Sequence, residues 1–378
     1  MKKTAILLFS ILTLLLVASC SNEGVVDDAF TVTVTFNGNG AKSGSMAPQR
    51  TGRGVETRLE ANEYEWPCHK FTGWNTASDG SGTAYTGGQS ISSKENITLY
   101  AQWELDPIIL TSNLRFWTDG NYYTLNSDVT IGSWVDVTGN VTLILADGYT
   151  LTASNGIVVD EGNSLTIEGE GSGTLVSNGQ EGQAGIGSTQ YANFGEITIN
   201  GGTVTATGSA GTAGIGGSYK GNNGNITINC GTVNATGGSC GAGIGGGHWG
   251  NGGVITINGG TVTAAGGDQG PGIGAGQYGN GGEITINGGT VIATGKDGGA
   301  GIGGGIYGNG VSTTINGGTV NATGGGTAGI GRGMSGTDDG NLTLGEGVAM
   351  KVSYDDSHWY DYDGTNCMRY MKTVEPQP

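Results

Sequence analysis

The chain has 378 residues, of which 80 are glycine and only 12% are charged, and its formal net charge at pH 7 is −17. This acidic balance, without a basic patch along the chain, argues against nucleic acid as a partner because polyphosphates are repelled. Glycine follows neither a collagen period nor a disordered composition, since Ile, Val and Thr recur in register with it. The length is enough for two domains.

The N-terminal residues 1–19 predict a secretory signal peptide, with two lysines and an apolar run too short for a stable membrane span. Val17, Ala18 and Ser19 before Cys20 resemble a bacterial lipobox, which implies cleavage before Cys20 and lipidation of that residue. An ordinary signal peptide with an incidental cysteine is the alternative. Residues 20–27 are then an acylated linker, and the membrane becomes a partner through the lipid anchor. The expected location is the cell envelope, at the outer membrane and exposed on the surface.

Residues 28–105 alternate as β-strands do, with predicted strands over 31–36, 69–74 and 96–103 and Gly/Asn clusters between them. A short helix is predicted near 57–61. The segments VTFNGNGAKSGSM, FTGWNTASDGSGTAY, GQSI and ITLYAQW resemble the internalin-type B-repeat, also called the Listeria–Bacteroides repeat. That resemblance implies a small β-grasp-like domain of bacterial surface proteins that serves as a spacer or adhesive module.

Two features of this first domain bear on its role. The segment EYEWPCHK departs from the turn that the B-repeat family has there, which puts a family binding role of this loop in doubt. The aromatic residues Trp74, Tyr100 and Trp103 are predicted to belong to the core rather than to a ligand platform.

Residues 106–350 contain a block, ITINGGTV, whose first residue falls at Ile197, Ile226 (here ITINCGTV), Ile255 and Ile284, always 29 residues apart. A fixed period of this length is typical of a solenoid, and alternation of apolar and polar residues makes its coils β-strands. The fold class is therefore mainly β: a small β-grasp-like domain followed by a parallel β-helix with 29-residue coils. The crossover rule favours a right-handed helix. The region before the regular repeats predicts capping coils, and residues 351–378 a C-terminal cap and tail.

Alternation also predicts which residues face inward. The isoleucines of the ITI strands and the valines of the following strands point into the solenoid and stack coil on coil. The predicted inner columns are Ile199, Ile228, Ile257, Ile286 and Ile315, and Val204, Val233, Val262, Val291 and Val320. Asparagines recur at the end of the ITI strand, where stacked amides are expected to hydrogen-bond between coils. These are Asn200, Asn229, Asn258, Asn287 and Asn316.

One set of aromatic residues lies in the glycine-rich loop of successive repeats, four or five residues after an isoleucine. It comprises Tyr191, Tyr219, Trp249, Tyr278 and Tyr307. Neighbouring amides accompany it: Asn251, Asn280 and Asn309, with Asn222 one repeat earlier. A row of ring faces flanked by amides suits stacking on the sugar rings of an extended polysaccharide. The alternative is a self-stacked ladder with turn-forming asparagines, which adds stability only.

The sequence offers no catalytic constellation or cofactor site, and no CxxC pair or Cys/His cluster suggests a metal. Between Gly195 and Gly340 charged residues are sparse, and Glu196 and Glu283 share one repeat position three coils apart, roughly 14 Å. An acidic–histidine group near the C-terminus, with Asp355, Asp356, His358, Asp361 and Asp363, suggests either a solvated cap or a weak calcium site.

These observations favour a noncatalytic surface lipoprotein that binds a polysaccharide or host glycan, or mediates adhesion, through a repeated surface column. The repeat region also resembles carbohydrate-binding β-helix proteins of gut and cellulolytic bacteria, which implies the same role. The main alternative is a stalk or spacer without a specific ligand. A polysaccharide lyase and an ice-binding solenoid with outward threonine columns are further alternatives.

Overall fold

The computed structural model describes residues 30–222, 224–353, 357, 358, 360–362 and 370–374. The predicted signal peptide and the linker with Cys20 lie outside these residues. The described part of the chain consists of strands, turns and loops without an α-helix, and it includes no helix able to cross a membrane. Packing divides it into two compact units, one formed by the chain up to Trp66 with Lys70–Glu104, the other by Pro67–His69 with the chain from Leu105 onward.

The first unit is a small β domain built on a five-stranded sheet. In spatial order its strands are Gln49–Gly52, Thr31–Asn37, Ile97–Leu105, His69–Asn75 and Ala84–Tyr85. The first and last long strands pair in parallel, with Val34 opposite Ile97, whereas the edge pairs are antiparallel. The predicted small all-β domain is therefore confirmed.

The core of this domain is aromatic. Trp74 is fully buried and its ring lies 4.8 Å from Phe36 and 5.0 Å from Phe71. Trp103 is half-buried against the same cluster and its indole N–H donates to the backbone oxygen of Gly38. The core role predicted for these two tryptophans is confirmed, whereas Tyr100 is half-exposed.

The helix predicted near 57–61 is wrong. Thr57–Arg58 is instead a short strand that pairs antiparallel with Ser90–Ile91. Leu59 is the buried residue of this segment, and a single apolar anchor cannot support a helical face. Five residues are also too few to offset the cost of starting a helix.

The second unit is a parallel β-helix whose coils each contribute to three sheets. The strands of the first sheet are Ile108–Ile109, Tyr122–Thr124, Asn140–Leu145, Ser164–Gly169, Glu196–Ile199, Asn225–Ile228, Val254–Ile257, Glu283–Ile286, Ser312–Ile315 and Asn341–Leu344. The parallel strands of the second are Val129–Ile131, Thr150–Ala153, Thr174–Asn178, Thr203–Thr207, Thr232–Thr236, Thr261–Ala265, Thr290–Thr294 and Thr319–Thr323. Those of the third are Phe116–Trp117, Val135–Val137, Ile157–Val158, Ile186–Gly187, Ile215–Gly216, Ile244–Gly245, Ile273–Ala275, Ile302–Gly304 and Ile330–Gly331.

Register between coils follows the sequence period, so like side chains stack on like. Ile228 lies opposite Ile257, and Val233 lies opposite Val262. Every member of the two predicted inner columns is fully buried. Each buried aliphatic side chain contributes roughly 1.5–3 kcal/mol, which makes this interior the main source of stability.

The last coil is closed by an antiparallel cap. Tyr370–Val374 inserts between Thr319–Thr323 and Ala349–Ser353, pairing antiparallel with both. Its Met371 is buried in the solenoid core. The cap thus covers an edge of the second sheet that would otherwise offer unpaired backbone groups. Of the acidic group near the C-terminus, Asp361 pairs with Lys351 at 2.8 Å, whereas Asp355, Asp356 and Asp363 lie outside the described residues.

Candidate functional site

Two loops of each regular coil form a second layer over the third sheet. We call the loop from the second sheet to the third the outgoing loop, and the loop from the third sheet to the first the returning loop. They are joined by backbone hydrogen bonds, as from His248 N to Gly211 O at 2.9 Å and from Met334 N to Gly298 O at 2.7 Å. Because this layer stacks backbone on backbone, it has little room for side chains.

Close packing in this layer explains the high glycine content. A Cβ at Gly247 would overlap the backbone oxygens of Ser218 and Gly211, one in each loop of the preceding coil. Beneath the loops, Gly245 of the third sheet has a φ of 128°. A Cβ added to Gly245 would overlap the backbone oxygen of Gly274. Only glycine tolerates both the backbone conformation and the close approach.

The predicted aromatic column lies at the tip of the returning loop, in a left-handed turn. Tyr191, Trp249, Tyr278 and Tyr307 have φ values of 68°, 63°, 59° and 61°. Tyr219 is not part of this set, because Lys220, with a φ of 59°, occupies the equivalent position. The expectation of one column of five rings is therefore corrected. A spacing of four or five residues merges two neighbouring columns, and Tyr219 belongs to the column of His248.

The rings make two different arrangements. Trp249, Tyr278 and Tyr307 form a face-to-face stack, with ring centroids 4.4 and 4.8 Å apart and planes within 10° and 8° of parallel. Tyr191 and Tyr219 meet edge to face at 5.5 Å, and so do Tyr219 and His248 at 5.4 Å. The stack repeats at about the spacing of adjacent strands, so ring attraction adds to each coil contact.

This geometry limits what the rings can do for a ligand. A sugar ring cannot enter between rings that already touch, so the inner faces of the stack are not available. Ring edges do reach solvent, since Trp249, Tyr278 and Tyr307 are 47%, 36% and 48% exposed and Tyr191 is 69% exposed. A ligand that contacts the middle of the stack would therefore use ring edges and hydroxyl groups.

The asparagines beside the rings also join neighbouring coils. The Oδ1 atom of Asn222 accepts a hydrogen bond from the backbone N–H of Asn251 at 3.0 Å, and that of Asn251 accepts from Asn280 at 2.9 Å. The side-chain oxygen of Asn309 accepts from the N–H of Thr337 at 2.8 Å. The side-chain oxygens of these asparagines thus accept hydrogen bonds from the backbone of the turn in the next coil. The amide N–H groups of Asn251, Asn280 and Asn309 have no hydrogen-bond partner within the described residues.

The other asparagine column forms the expected ladder. Each Nδ2 donates to the Oδ1 of the preceding coil at 2.7 or 2.8 Å, from Asn316 down to Asn200, whose own Nδ2 donates to Glu168. Chains of such bonds polarise one another. This ladder has the structural role that the sequence predicts.

His248 is the least satisfied group near the rings. It packs between Tyr219 and Tyr278, and its Nε2 atom is buried without a hydrogen-bond partner in the part of the chain that the structure describes. Burial, and then the positive charge of Lys220, lower the pKa of this imidazole. The neutral form of the imidazole is therefore favoured.

A groove that the sequence analysis did not identify runs along the start of the first sheet. Its two parts have volumes of about 470 and 390 Å³ and adjoin each other at Gly224 and Asn225, which line both. One wall, called the first wall below, is the column formed by the first residue of each strand in this part of the first sheet. These residues are Asn140, Ser164, Glu196, Asn225, Val254 and Glu283. The glycines that precede those strands form its floor. In the sequence, a recurring glycine followed by a polar residue is the pattern that could have indicated this groove.

The described residues contain no group of three or more His, Cys, Asp or Glu side chains placed to hold a metal ion. Cys68, Cys230 and Cys240 are free thiols. Glu196 and Glu283 lie in one column separated by two intervening coils, as the registers place them. That separation, roughly 14 Å, exceeds what paired carboxylates in glycoside hydrolysis require.

One outward threonine column, Thr203, Thr232, Thr261, Thr290 and Thr319, is unbroken, but the column beside it is not regular. In the second sheet Thr263 is followed by Ile292 and then by Asn321 in one column, and Ile292 is exposed. A flat array of like hydroxyl groups is therefore interrupted in the middle of the solenoid.

Comparison with known families agrees with both units. Residues 33–102 match the Listeria-Bacteroides repeat domain. Five segments, residues 197–219, 226–248, 255–277, 284–306 and 314–331, match the beta helix repeat. Neither the curated proteins nor the solved structures include a significant match. The chain thus joins a Listeria–Bacteroides repeat domain, a surface-type module, to a parallel β-helix of beta helix repeats, and this combination fits a non-enzymatic or structural role.

Proposed function

We propose that this protein is a noncatalytic solenoid displayed on a bacterial surface, where the β-helix serves as a structural support. The observation that carries the proposal is the use of the surface columns. Both asparagine columns and the Trp249–Tyr278–Tyr307 stack are engaged in bonds between coils. Side chains committed in this way stabilise the solenoid and need no ligand.

Surface display rests on the lipobox-like segment at Cys20 and on the Listeria–Bacteroides repeat domain at residues 33–102. Metabolic labelling with an alkyne-tagged fatty acid tests the anchor, and protease shaving of intact cells tests exposure. We expect labelling of the wild-type chain and none of Cys20→Ala. An unlabelled wild-type chain, or one that is protected from protease on intact cells, would contradict the proposal.

A noncatalytic role predicts no turnover of polysaccharides. Purified protein is incubated with pectins and with neutral plant and bacterial glycans, and reducing ends and unsaturated products are measured. We expect values equal to those of a heat-inactivated sample. Reproducible turnover that is lost after unfolding would show that the protein is an enzyme.

Glycan binding at the aromatic loops is a second candidate function, favoured by the exposed ring edges and by the free amide N–H groups of Asn251 and Asn280. A glycan array with the full chain tests it. We expect binding that falls in both Trp249→Ala and Tyr278→Ala, with Phe116→Ala, an exposed aromatic residue of another coil, as the matched control. If no glycan binds, or if binding is unchanged in the two variants, glycan binding at the aromatic loops is excluded and the structural role is the one that remains.

A further inference from the structure

We propose that the groove along the first sheet binds a linear, positively charged amino-glycan, that is, a chain of sugars with free ammonium groups. The proposal goes beyond the structural role. The groove shares Asn251 and Asn280 with the aromatic loops, but none of the stacked rings lines it. It rests on the length, floor, walls and charge of the groove.

The groove suits an extended ligand. Its first wall passes over six consecutive strands of the first sheet, from Asn140 to Glu283. At about 4.8 Å per strand this corresponds to roughly 24 Å. The floor is made of backbone at Gly195, Gly224, Gly253 and Gly282, and the side chain of Phe194, which also lines the groove, is buried.

Polar groups line both sides of this floor. The amide groups of Asn251 and Asn280 line one side, with their oxygens bonded to the backbone and their N–H groups left to donate. On the other side Asn225 is exposed between the carboxylates of Glu196 and Glu283. Donors and acceptors on both sides match the hydroxyl groups along both edges of a glycan chain.

Charge decides which glycan fits. Glu161, Glu196 and Glu283 line the groove and are exposed, and none of the described lining residues is Lys or Arg. The whole chain carries a formal charge of −17. A polyanion would be repelled by this surface, whereas ammonium groups are attracted to it and can pair with the carboxylates.

A cationic peptide is the competing ligand, and the geometry favours it less. Peptides gain affinity by adding a strand to a sheet edge or by placing side chains in pockets. The groove runs across the strands and does not follow a sheet edge. The backbone groups of these strands already pair from coil to coil, so a peptide has no strand to pair with there. Val254 is the one exposed apolar side chain of the first wall, so this wall offers little apolar surface to the side chains of a peptide.

The test uses the full chain, isothermal titration calorimetry and three probes of six units each. These are the glucosamine hexasaccharide, its N-acetylated form, which is neutral, and hexalysine. We expect the glucosamine hexasaccharide to bind at low salt and to weaken as salt is added. We expect the N-acetylated form to bind at least about tenfold more weakly, since it lacks the ammonium groups.

Two pairs of variants locate the site. Glu196→Gln with Glu283→Gln should weaken binding about tenfold, whereas Glu170→Gln with Glu346→Gln makes the same charge change on exposed residues elsewhere. Val254→Arg should abolish binding, and Ile292→Arg is its control, because these strand residues are 43% and 40% exposed on different sheets. Circular dichroism checks that all variants fold.

Several results would overturn the proposal. They are no binding of the glucosamine hexasaccharide, equal binding of its N-acetylated form, or equal loss in the control variants. Hexalysine that binds as tightly, and that is displaced by the same two groove changes, would assign the groove to cationic peptides instead.

Discussion

The first coils of the β-helix and its regular coils solve the same packing problem differently. In the first coils large side chains fill the interior, with Trp117 and Tyr123 stacked 5.4 Å apart and both buried. In the regular coils the inward side chains are Ile, Val and Ala, and the glycine-rich loop layer covers the third sheet. The comparison teaches that the repeat depends on backbone packing where the first coils depend on side-chain volume.

The largest effect is expected from adding one methyl group to the backbone layer. Gly245→Ala combines a φ of 128° with overlap onto the oxygen of Gly274, and should lower the free energy of unfolding by more than about 3 kcal/mol. Gly148→Ala in the first coils is the control, because its φ is 78° but nothing lies within 4 Å of the added carbon. It should cost about 1 kcal/mol. Urea unfolding followed by circular dichroism measures both, and equal costs would show that the layer is not close-packed.

A smaller effect is expected from the ring stack. The coupling free energy between Trp249→Ala and Tyr278→Ala should be about 0.5–1.5 kcal/mol, because these rings are in face-to-face contact. The pair Trp249→Ala and Tyr307→Ala is the control, since Tyr278 lies between those rings. A double-mutant cycle in urea measures the two couplings. A coupling near zero for Trp249 and Tyr278 would mean that the stack does not stabilise the coils.

The asparagine ladder should contribute less, because it is exposed to water. Asn258→Ala removes the bond to Asn229 at 2.7 Å and the bond from Asn287 at 2.7 Å, and should cost about 0.5–1 kcal/mol. Asn225→Ala, at an exposed position outside the ladder, is the matched control and should be neutral. Thermal unfolding compares the stability of the two variants. If Asn258→Ala does not lower stability, the ladder does not stabilise the solenoid.

The smallest effect concerns pH and His248. Its pKa in the folded chain is lowered from 6.5 by burial and by Lys220, so the unfolded chain binds the proton more tightly. The contribution of His248 to stability should therefore be constant well above pH 6.5 and should fall as the pH drops from 6.5 toward the folded pKa of this residue. His248→Gln, which places the residue of the next coil at this position, should remove that part of the pH dependence. Identical pH profiles of urea unfolding for the two proteins would contradict this.

The sequence and the structure agree best where the period alone decides. Ile257 and Val262 are inward because alternation and a fixed repeat leave no other arrangement, and both are fully buried. The sequence prediction and the structure disagree where an offset of one residue decides which column a side chain joins. Tyr219 and Lys220 are adjacent in the chain, and the turn that places Lys220 in the aromatic column is fixed by its φ and by its bond to His248 O.

The sequence by itself determined the solenoid, its inner columns, its asparagine ladder and the small β domain before it. These follow from local rules, since strand alternation and a constant period force like residues to stack. Tertiary structure alone decided how the two loops of each coil join into one layer, which rings stack, and where a groove remains. Those features depend on contacts between segments of different coils, and no local pattern contains the distances between them.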